Sequence, residues 1–448
     1  MYLMMKDEKI LKFDIPNGDY EVLRPDLLPM KLRDRLTDTT NIEDLKEKYK
    51  TAGNNHNVMM DYFSGRVLNL DRENAKKILN AYNFSQSQDS ETKTKIALAC
   101  RIVSMTDDYW INKEDAMLQW KDINPRENSL NKIIAHVALT GSSLTATGLP
   151  HTPELTGQGA YAKAWIRDNN GSVSLYKAGS KNAEIDESKI EICVSNILDK
   201  TNVPHVRYRS GKFEDKDVCI CDNMCNDDKS IVPAEDVISW CNRTDRNFDN
   251  FVREKDAENF YKTIVVDYLI SNVDRHGQNW GFYMDNHSGQ LQGLHPLFDH
   301  NNAFDSKCIQ DINGAPSLMI QGKTQKEAAT YALKNCKFRI TGEITKEMFP
   351  NRDCYDSFMK KACELGIYKE KEKSLMARIF RSKQTEYELN PVYRGTAETM
   401  IEEMREESPA LNELDSFDDV LKDAREQADR INGQVQEKDK KVEKGYER

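Results

Sequence analysis

The stretch Ser271-Asn272-Val273-Asp274-Arg275-His276-Gly277-Gln278-Asn279-Trp280, followed by Phe298-Asp299-His300-Asn301, constrains this chain more than any other part of it. A helical apolar pattern (Phe260, Ile264, Val265, Tyr268, Leu269) runs into the stretch. Residues 280–284 then read as a strand, 285–290 as a turn and 291–297 as the partner strand, so Asp299 returns to the end of the hairpin where Asn279 begins. Any fold that satisfies this pattern brings three oxygen-bearing side chains, Asp274, Asn279 and Asp299, to one place. That layout suits phosphoryl transfer, which asks a protein to align a hydroxyl with a phosphorus, hold Mg²⁺ and neutralise phosphate charge. Asp274 is the candidate that orients and deprotonates the acceptor hydroxyl, and Asn279 and Asp299 are the candidates that hold Mg²⁺ beside ATP. Asp and Asn are also common turn residues. The conjunction of all three in this order is what favours the chemical reading.

A second constellation lies upstream. Residues 162–167 and 172–177 alternate as two strands about the turn Asp168-Asn169-Asn170-Gly171. Lys177 shares a strand face with Val173 and Leu175, which carries its ammonium into a cleft where ATP phosphates would lie. The helix that follows from about Asp186 offers Glu191 as its ion-pair partner, with Glu187 one turn earlier as the rival. Gly157-Gln158-Gly159, just ahead of the hairpin, stands where a phosphate-covering loop belongs, because glycine frees backbone N–H groups to approach an anion. A plain flexible turn is the other reading of these two glycines.

Composition narrows the class. No apolar run in the 448 residues approaches the roughly 20 needed to cross a bilayer. Lys6, Asp7, Glu8 and Lys9 interrupt the place a signal peptide would need for its apolar core. Ten cysteines without framework spacing suit reduced thiols and a cytoplasmic location. Cys219, Cys221, Cys225 and Cys241 lack the paired knuckles of a zinc site. His276, His295 and His300 stand near the motif, but Mg²⁺ prefers oxygen, so they receive no catalytic role. A formal charge of -10 argues against bulk binding to a phosphate backbone, and direct nucleic-acid contact is not expected.

The chain divides by pattern into four parts. Residues 1–140 read as a mainly helical accessory region, with helices beginning near Asp71 and Ser90 and a stripe of Ile133, Ile134, Val137 and Ala138 ending at Gly141. Residues 141–225 open on a Gly/Ser/Thr/Pro-rich connection and continue as a small β-rich, ATP-binding lobe, with further strands at 203–208 and 216–221. Residues 226–400 read as a mainly helical catalytic lobe, with later helices near 326–333, 354–365 and 370–379. Residues 401–448 read as a charged helix and tail, with a stripe of Phe417, Val420, Leu421, Ala424, Ala428 and Ile431. The expected architecture is α+β, two lobes about a cleft, with an N-terminal helical extension.

Residues 272–282, the segment Pro296-Leu297-Phe298-Asp299-His300-Asn301 and the strand Ser174-Leu175-Tyr176-Lys177 resemble the HipA-like kinase family, which shares a remote architecture with protein kinases and phosphatidylinositol kinases. The resemblance covers about residues 149–389. It implies Asp274 as catalytic base, Asn279 and Asp299 as Mg²⁺ ligands, Lys177 as the phosphate-binding lysine, and a backbone hinge to adenine near Asp222, Met224 and Cys225. It also implies ATP-dependent phosphorylation of protein serine or threonine, with autophosphorylation ahead of the hairpin at Thr152 or Thr156. Some members of the family act beside a regulatory partner protein, a small DNA-binding antitoxin. This chain departs from the pattern in three places: a helical rather than β-rich N-terminal region, a phosphate-covering loop without a third glycine, and His300-Asn301 after Asp299 where Phe-Gly is usual. A lipid or small-molecule kinase of the same fold, and a nucleotide-binding pseudokinase acting as an interaction module, are the alternatives.

Overall fold

The computed structural model describes residues 1–15, 18–114, 118–179, 186–304, 312–371, 385–396 and 399. Met1–Tyr393 form one compact unit and Arg394–Arg448 another. The divisions expected at residues 140 and 225 therefore fall inside the first unit. The charged helix expected at 401–448 lies outside the described residues.

The chain opens on β1 (Tyr2–Met5), β2 (Glu8–Asp14) and β3 (Asp19–Val22), and β4 (Tyr109–Asn112) completes an antiparallel sheet of order β3-β2-β1-β4. The first 140 residues, expected to be mainly helical, thus also carry a four-stranded sheet that the expectation lacked. The strands escape notice because the β1–β2 pairing shifts register between Leu3 and Met4, which breaks the period-two alternation that announces a strand. Helices α1 (Leu45–Gly65), α2 (Ala75–Ala81), α3 (Ser90–Ala99), α4 (Trp120–Ile123) and α5 (Lys132–Thr140) complete the region. Asp44 caps α1 through Glu47 N at 2.7 Å and Asp89 caps α3 through Thr92 N at 2.7 Å. Gly141, at φ +73°, ends α5 as expected.

The second sheet carries the lysine strand. β5 (Lys163–Arg167), β6 (Val173–Ala178), β7 (Tyr208–Phe213) and β8 (Lys216–Asp222) are antiparallel in the order β5-β6-β8-β7. The hairpin turn holds because Asp168 Oδ1 accepts from Asn170 N and Ser172 N, both at 2.9 Å, and Gly171 takes φ +89°. The strand expected at 203–208 is displaced: β7 begins at Tyr208. Residues 204–206 instead run beside Leu297, with Val206 N donating to Leu297 O at 2.8 Å and Leu297 N to Pro204 O at 2.9 Å. Between β6 and β7 lies α6 (Glu187–Leu198), capped by Asp186.

Beyond Cys225 the chain makes β9 (Lys229–Pro233) before turning helical, a strand that the sequence reading did not foresee. Helices α7 (Ala234–Arg243) and α8 (Phe248–Leu269) follow, and then β10 (Gly281–Asp285) and β11 (Leu291–Leu294) form the expected hairpin in a sheet of order β11-β10-β9. α8 is kinked at Asp256 (φ -166°, ψ 71°). The Asp256 carboxylate restarts the helix by accepting from Asn259 N at 3.1 Å, and it accepts from Leu294 N at 2.9 Å, which docks the hairpin on the helix. From Phe260 to Leu269 every residue of α8 is buried, so this half is a core helix that delivers the motif loop from a fixed point. Helices α9 (Gln325–Leu333) and α10 (Arg352–Glu364) pack outside it, and β12 (Tyr368–Glu370) pairs with β13 (Tyr387–Leu389). Glu370 is therefore strand where a helix over 370–379 was expected, and residues 372–379 lie outside the described residues.

Candidate active site

The end of α8 sets the site. Asp267, on its last turn, is 2% exposed and receives the Arg275 guanidinium, Nη2 to Oδ1 at 2.9 Å and Nε to Oδ2 at 3.1 Å, while Asn272 Nδ2 donates to the same carboxylate at 3.0 Å. A buried ion pair of this kind stabilises little in itself, but removing one partner strands a charge, so it fixes geometry. Arg275 spends its other donors on Asn279 O at 2.9 Å, Phe298 O at 2.7 Å and His300 Nδ1 at 3.2 Å. One guanidinium thus ties the motif loop to the segment that carries Asp299. This role was not assigned from sequence, although the invariant +1 charge of Arg beside Asp274 on a loop leaving a buried helix was the available signal.

Asp274 projects from this loop half-exposed. Its Oδ2 accepts from Asn302 Nδ2 at 2.6 Å, and His276 Nε2 lies 4.0 Å away. Asn279 Nδ2 donates to the Asp274 carbonyl at 2.9 Å, which leaves its amide oxygen accepting no hydrogen bond among the described residues. Asp299 adopts φ +61°, the left-handed region that Asp tolerates better than most side chains. Its Oδ1 accepts from Lys177 Nζ at 3.1 Å and from Asn301 Nδ2 at 3.2 Å.

Lys177 also donates to Glu191 Oε1 at 2.7 Å and to Tyr208 Oη at 3.2 Å. Glu191, at 1% exposed, is thereby the partner of Lys177, and its other oxygen accepts from His300 N at 2.9 Å. Lys177 thus reaches Glu191 rather than the rival, Glu187. Burial alone would neutralise the Lys177 ammonium, yet the Asp299 and Glu191 carboxylates outweigh it and raise the lysine well above its ordinary pKa. Burial likewise opposes ionisation of Asp299, but Lys177, Lys163 and Arg275 hold that carboxyl well below the usual range.

Lys163 was overlooked. It sits opposite Lys177 in the β5–β6 register, so both side chains leave the same face of the sheet. The expected turn at residues 168–171 would have paired Lys177 with Ala162; the observed register is offset by one residue, with Arg167 opposite Val173, and that offset brings Lys163 opposite Lys177. Its Nζ makes no hydrogen bond among the described residues. Burial, reinforced by the charges of Arg72 and Lys177, pushes its pKa down to about 7.

Lys163, Lys177, Tyr208, Asp274, Asn279 and Asp299 line one cavity of about 520 Å³, within the size range of small-molecule sites, while Glu191, Asp267 and Arg275 lie behind its lining. Gly157 and Gly159, Asp222, Met224 and Cys225 line it as well. Gly159, at φ +93°, passes so close to Lys163 that a Cβ there would overlap the ammonium. The segment 222–225 is held from the N-terminal region: Asn223 Nδ2 donates to Met105 O at 3.0 Å and Cys225 Sγ to Thr106 O at 3.3 Å. Cys219 and Cys221 pack with Val206 and Tyr208, and burial raises the Cys221 thiol to about 12. His295 and His300 are buried, which pushes His295 down to about 4 and His300 well below its usual value. Thr152 and Thr156 are buried too, and Thr156 Oγ1 donates to Val103 O at 2.7 Å.

The class is mixed α/β with antiparallel sheets, and residues 229–379 match the model of the HipA-like C-terminal domain, which bears out the HipA-like kinase resemblance drawn from the motifs. Among solved structures the chain is similar to HipA of Shewanella oneidensis MR-1, solved with HipB and operator DNA, at 11% identity and TM-score 0.41 over 81% of this chain and 96% of that one. It is also similar to the Helicobacter pylori proinflammatory kinase CtkA, at 16% identity and TM-score 0.32 over 45% of this chain and 89% of that one. No curated protein matches the chain.

Proposed function

We propose that this protein is an ATP- and Mg²⁺-dependent protein serine/threonine kinase of HipA-like type, with a small β-rich lobe and a larger lobe closing on the nucleotide. The observation that carries the reading is Lys177 held by both Glu191 and Asp299 at the edge of a cavity that Asp274 and Asn279 also line. A scaffold has no chemical need for this set. The donor set also fits Mg²⁺: Asp299 offers a carboxylate that stays ionised and Asn279 an amide oxygen with no other partner among the described residues, and Mg²⁺ takes few protein oxygens. The bound ion would neutralise charge on the phosphate oxygens. Lys177 would bind the phosphates, and Glu191 would keep its ammonium aimed at them.

Asp274, half-exposed and steadied by Asn302, would orient the acceptor hydroxyl and take its proton as the new oxygen–phosphorus bond forms and ADP departs. The backbone of residues 222–225 would face the adenine. The acceptor would be a protein serine or threonine; Thr152 and Thr156, the autophosphorylation candidates, are buried, so modification of either would require this segment to leave its place.

Labelled ATP and Mg²⁺ test this with the full chain. Wild type should transfer label to itself or to a protein acceptor, and Asp274→Asn and Asp299→Ala should each lose it by about a hundredfold or more. Asp299→Ala should in addition lose the Mg²⁺-dependent part of ATP binding. Transfer that persists undiminished in both variants would refute the mechanism.

A further inference from the structure

The segment that leads into β5 is fastened to the N-terminal region at many points. Leu68 N donates to Leu155 O at 2.9 Å, Glu73 N to Ala160 O at 2.7 Å, and Gln158 Nε2 to Gly65 O at 3.2 Å. At the centre is Arg72, 4% exposed. Its Nη1 donates to Glu154 O at 3.0 Å and Gly157 O at 3.2 Å, and its Nη2 donates to Lys163 O at 2.6 Å. One planar fork therefore collects three main-chain carbonyls from both ends of the glycine loop. Only guanidinium has the donors and the rigidity for that.

The consequence falls on the other side of each peptide. In a trans peptide the C=O of one residue and the N–H of the next point in opposite directions. Turning the carbonyls of Gly157 and Ala160 toward Arg72 and Glu73 directs the N–H groups of Gln158 and Tyr161 away from them. Among the described residues, the N–H groups of Gly157, Gln158, Gly159, Ala160 and Tyr161 donate to no protein group, and all five residues line the cavity. Unsatisfied N–H groups clustered on a concave wall suit an anion.

We propose that Arg72, which itself reaches the cavity lining, is a positioning residue: with its guanidinium committed to three carbonyls, it presets the loop of Gly157 and Gly159 for a polyphosphate. The loop lacks a third glycine, and its shape comes from the N-terminal region instead. This rests on the kinase reading above. It adds a residue from outside the matched domain whose effect is confined to the phosphates.

The test compares ligands that differ only in phosphate. Binding of adenosine and of ATP, each measured by calorimetry on the full chain, is compared among wild type, Arg72→Met, Arg72→Lys and Gln158→Ala, beside KM and kcat for ATP. Arg72→Met should weaken ATP by about tenfold to a hundredfold, seen in KM more than kcat, and leave adenosine within about twofold. Arg72→Lys, which keeps the charge and reaches fewer carbonyls, should lie between Arg72→Met and wild type. Gln158→Ala should give a smaller loss of the same selectivity, and with Arg72→Lys it carries the test if Arg72→Met does not fold. Equal weakening of adenosine and ATP, or no weakening, would overturn the proposal. Wild type binding neither ligand would instead overturn the kinase reading, and this inference with it.

Discussion

Lys163 enters the cavity with its charge undecided. Its folded-state pKa of about 7 lies below the ordinary value of 10.5, so the neutral form is favoured by folding. The sign follows: between about 7 and 10.5 the unfolded chain binds more protons than the folded one, and this residue's contribution to stability grows as pH rises through that window. A polyphosphate arriving beside Lys163 reverses the preference and draws a proton onto it. At pH 8, ATP binding measured in buffers of different ionisation enthalpy should take up as much as about one proton, and Lys163→Met should abolish the uptake. At this scale the sequence was legible wherever strand alternation or hairpin return dictated a direction, as for Lys177, Asn279 and Asp299, whereas for Glu191 helix spacing left Glu187 open as the rival. It was silent on Arg72 and Arg275, whose roles lie in which distant carbonyls they reach.

Helix α8 shows how an element can be read correctly and still hide its main device. The apolar stripe announced the helix and its delivery of the motif loop, but nothing in the pattern announced the break at Asp256. Its carboxylate serves as cap to one helical half and as anchor for β11. Asp256→Ala should therefore lower stability by about 2–3 kcal/mol, the sum of a lost cap and an unsatisfied Leu294 N–H, measured as a shift in the denaturant midpoint. Asp256→Asn, which keeps one acceptor, should recover part of the loss. The strands missed by the sequence reading have physical reasons of their own. β1 and β2 are offset by a register shift, and β7 contains Arg209, Gly211 and Lys212, so its identity comes from pairing with β8 rather than from apolar alternation.

Within Met1–Tyr393, the first 140 residues and those that follow share one apolar core. Ile231 N donates to Thr106 O at 3.0 Å, Asn286 Nδ2 to the buried Asp108 Oδ2 at 2.9 Å, and Trp240 Nε1 to Asp34 Oδ2 at 2.9 Å. The composition change at Gly141 that looked like a boundary is a connection over a continuous apolar interior, and periodicity along a chain carries no information about which faces meet. A fragment beginning at Gly141 should fail to fold cooperatively, giving no sharp thermal transition and weak near-ultraviolet dichroism, whereas a chain ending at Tyr393 should keep both. Co-expression of residues 1–140 as a separate chain should restore the transition.

The pairing of residues 204–206 with Leu297 joins the approach to β7 to the approach to Asp299 by main-chain bonds alone, and Glu191 adds a third tie through His300 N. Of single substitutions at those positions, proline at Val206 or Leu297 is the one that deletes a bond of this seam, because it removes the donating N–H. Asp274 and His276 line the cavity and reach solvent, whereas Lys177, Glu191 and Asp299 are largely buried and hold one another, so the seam backs the part of the site that solvent does not reach.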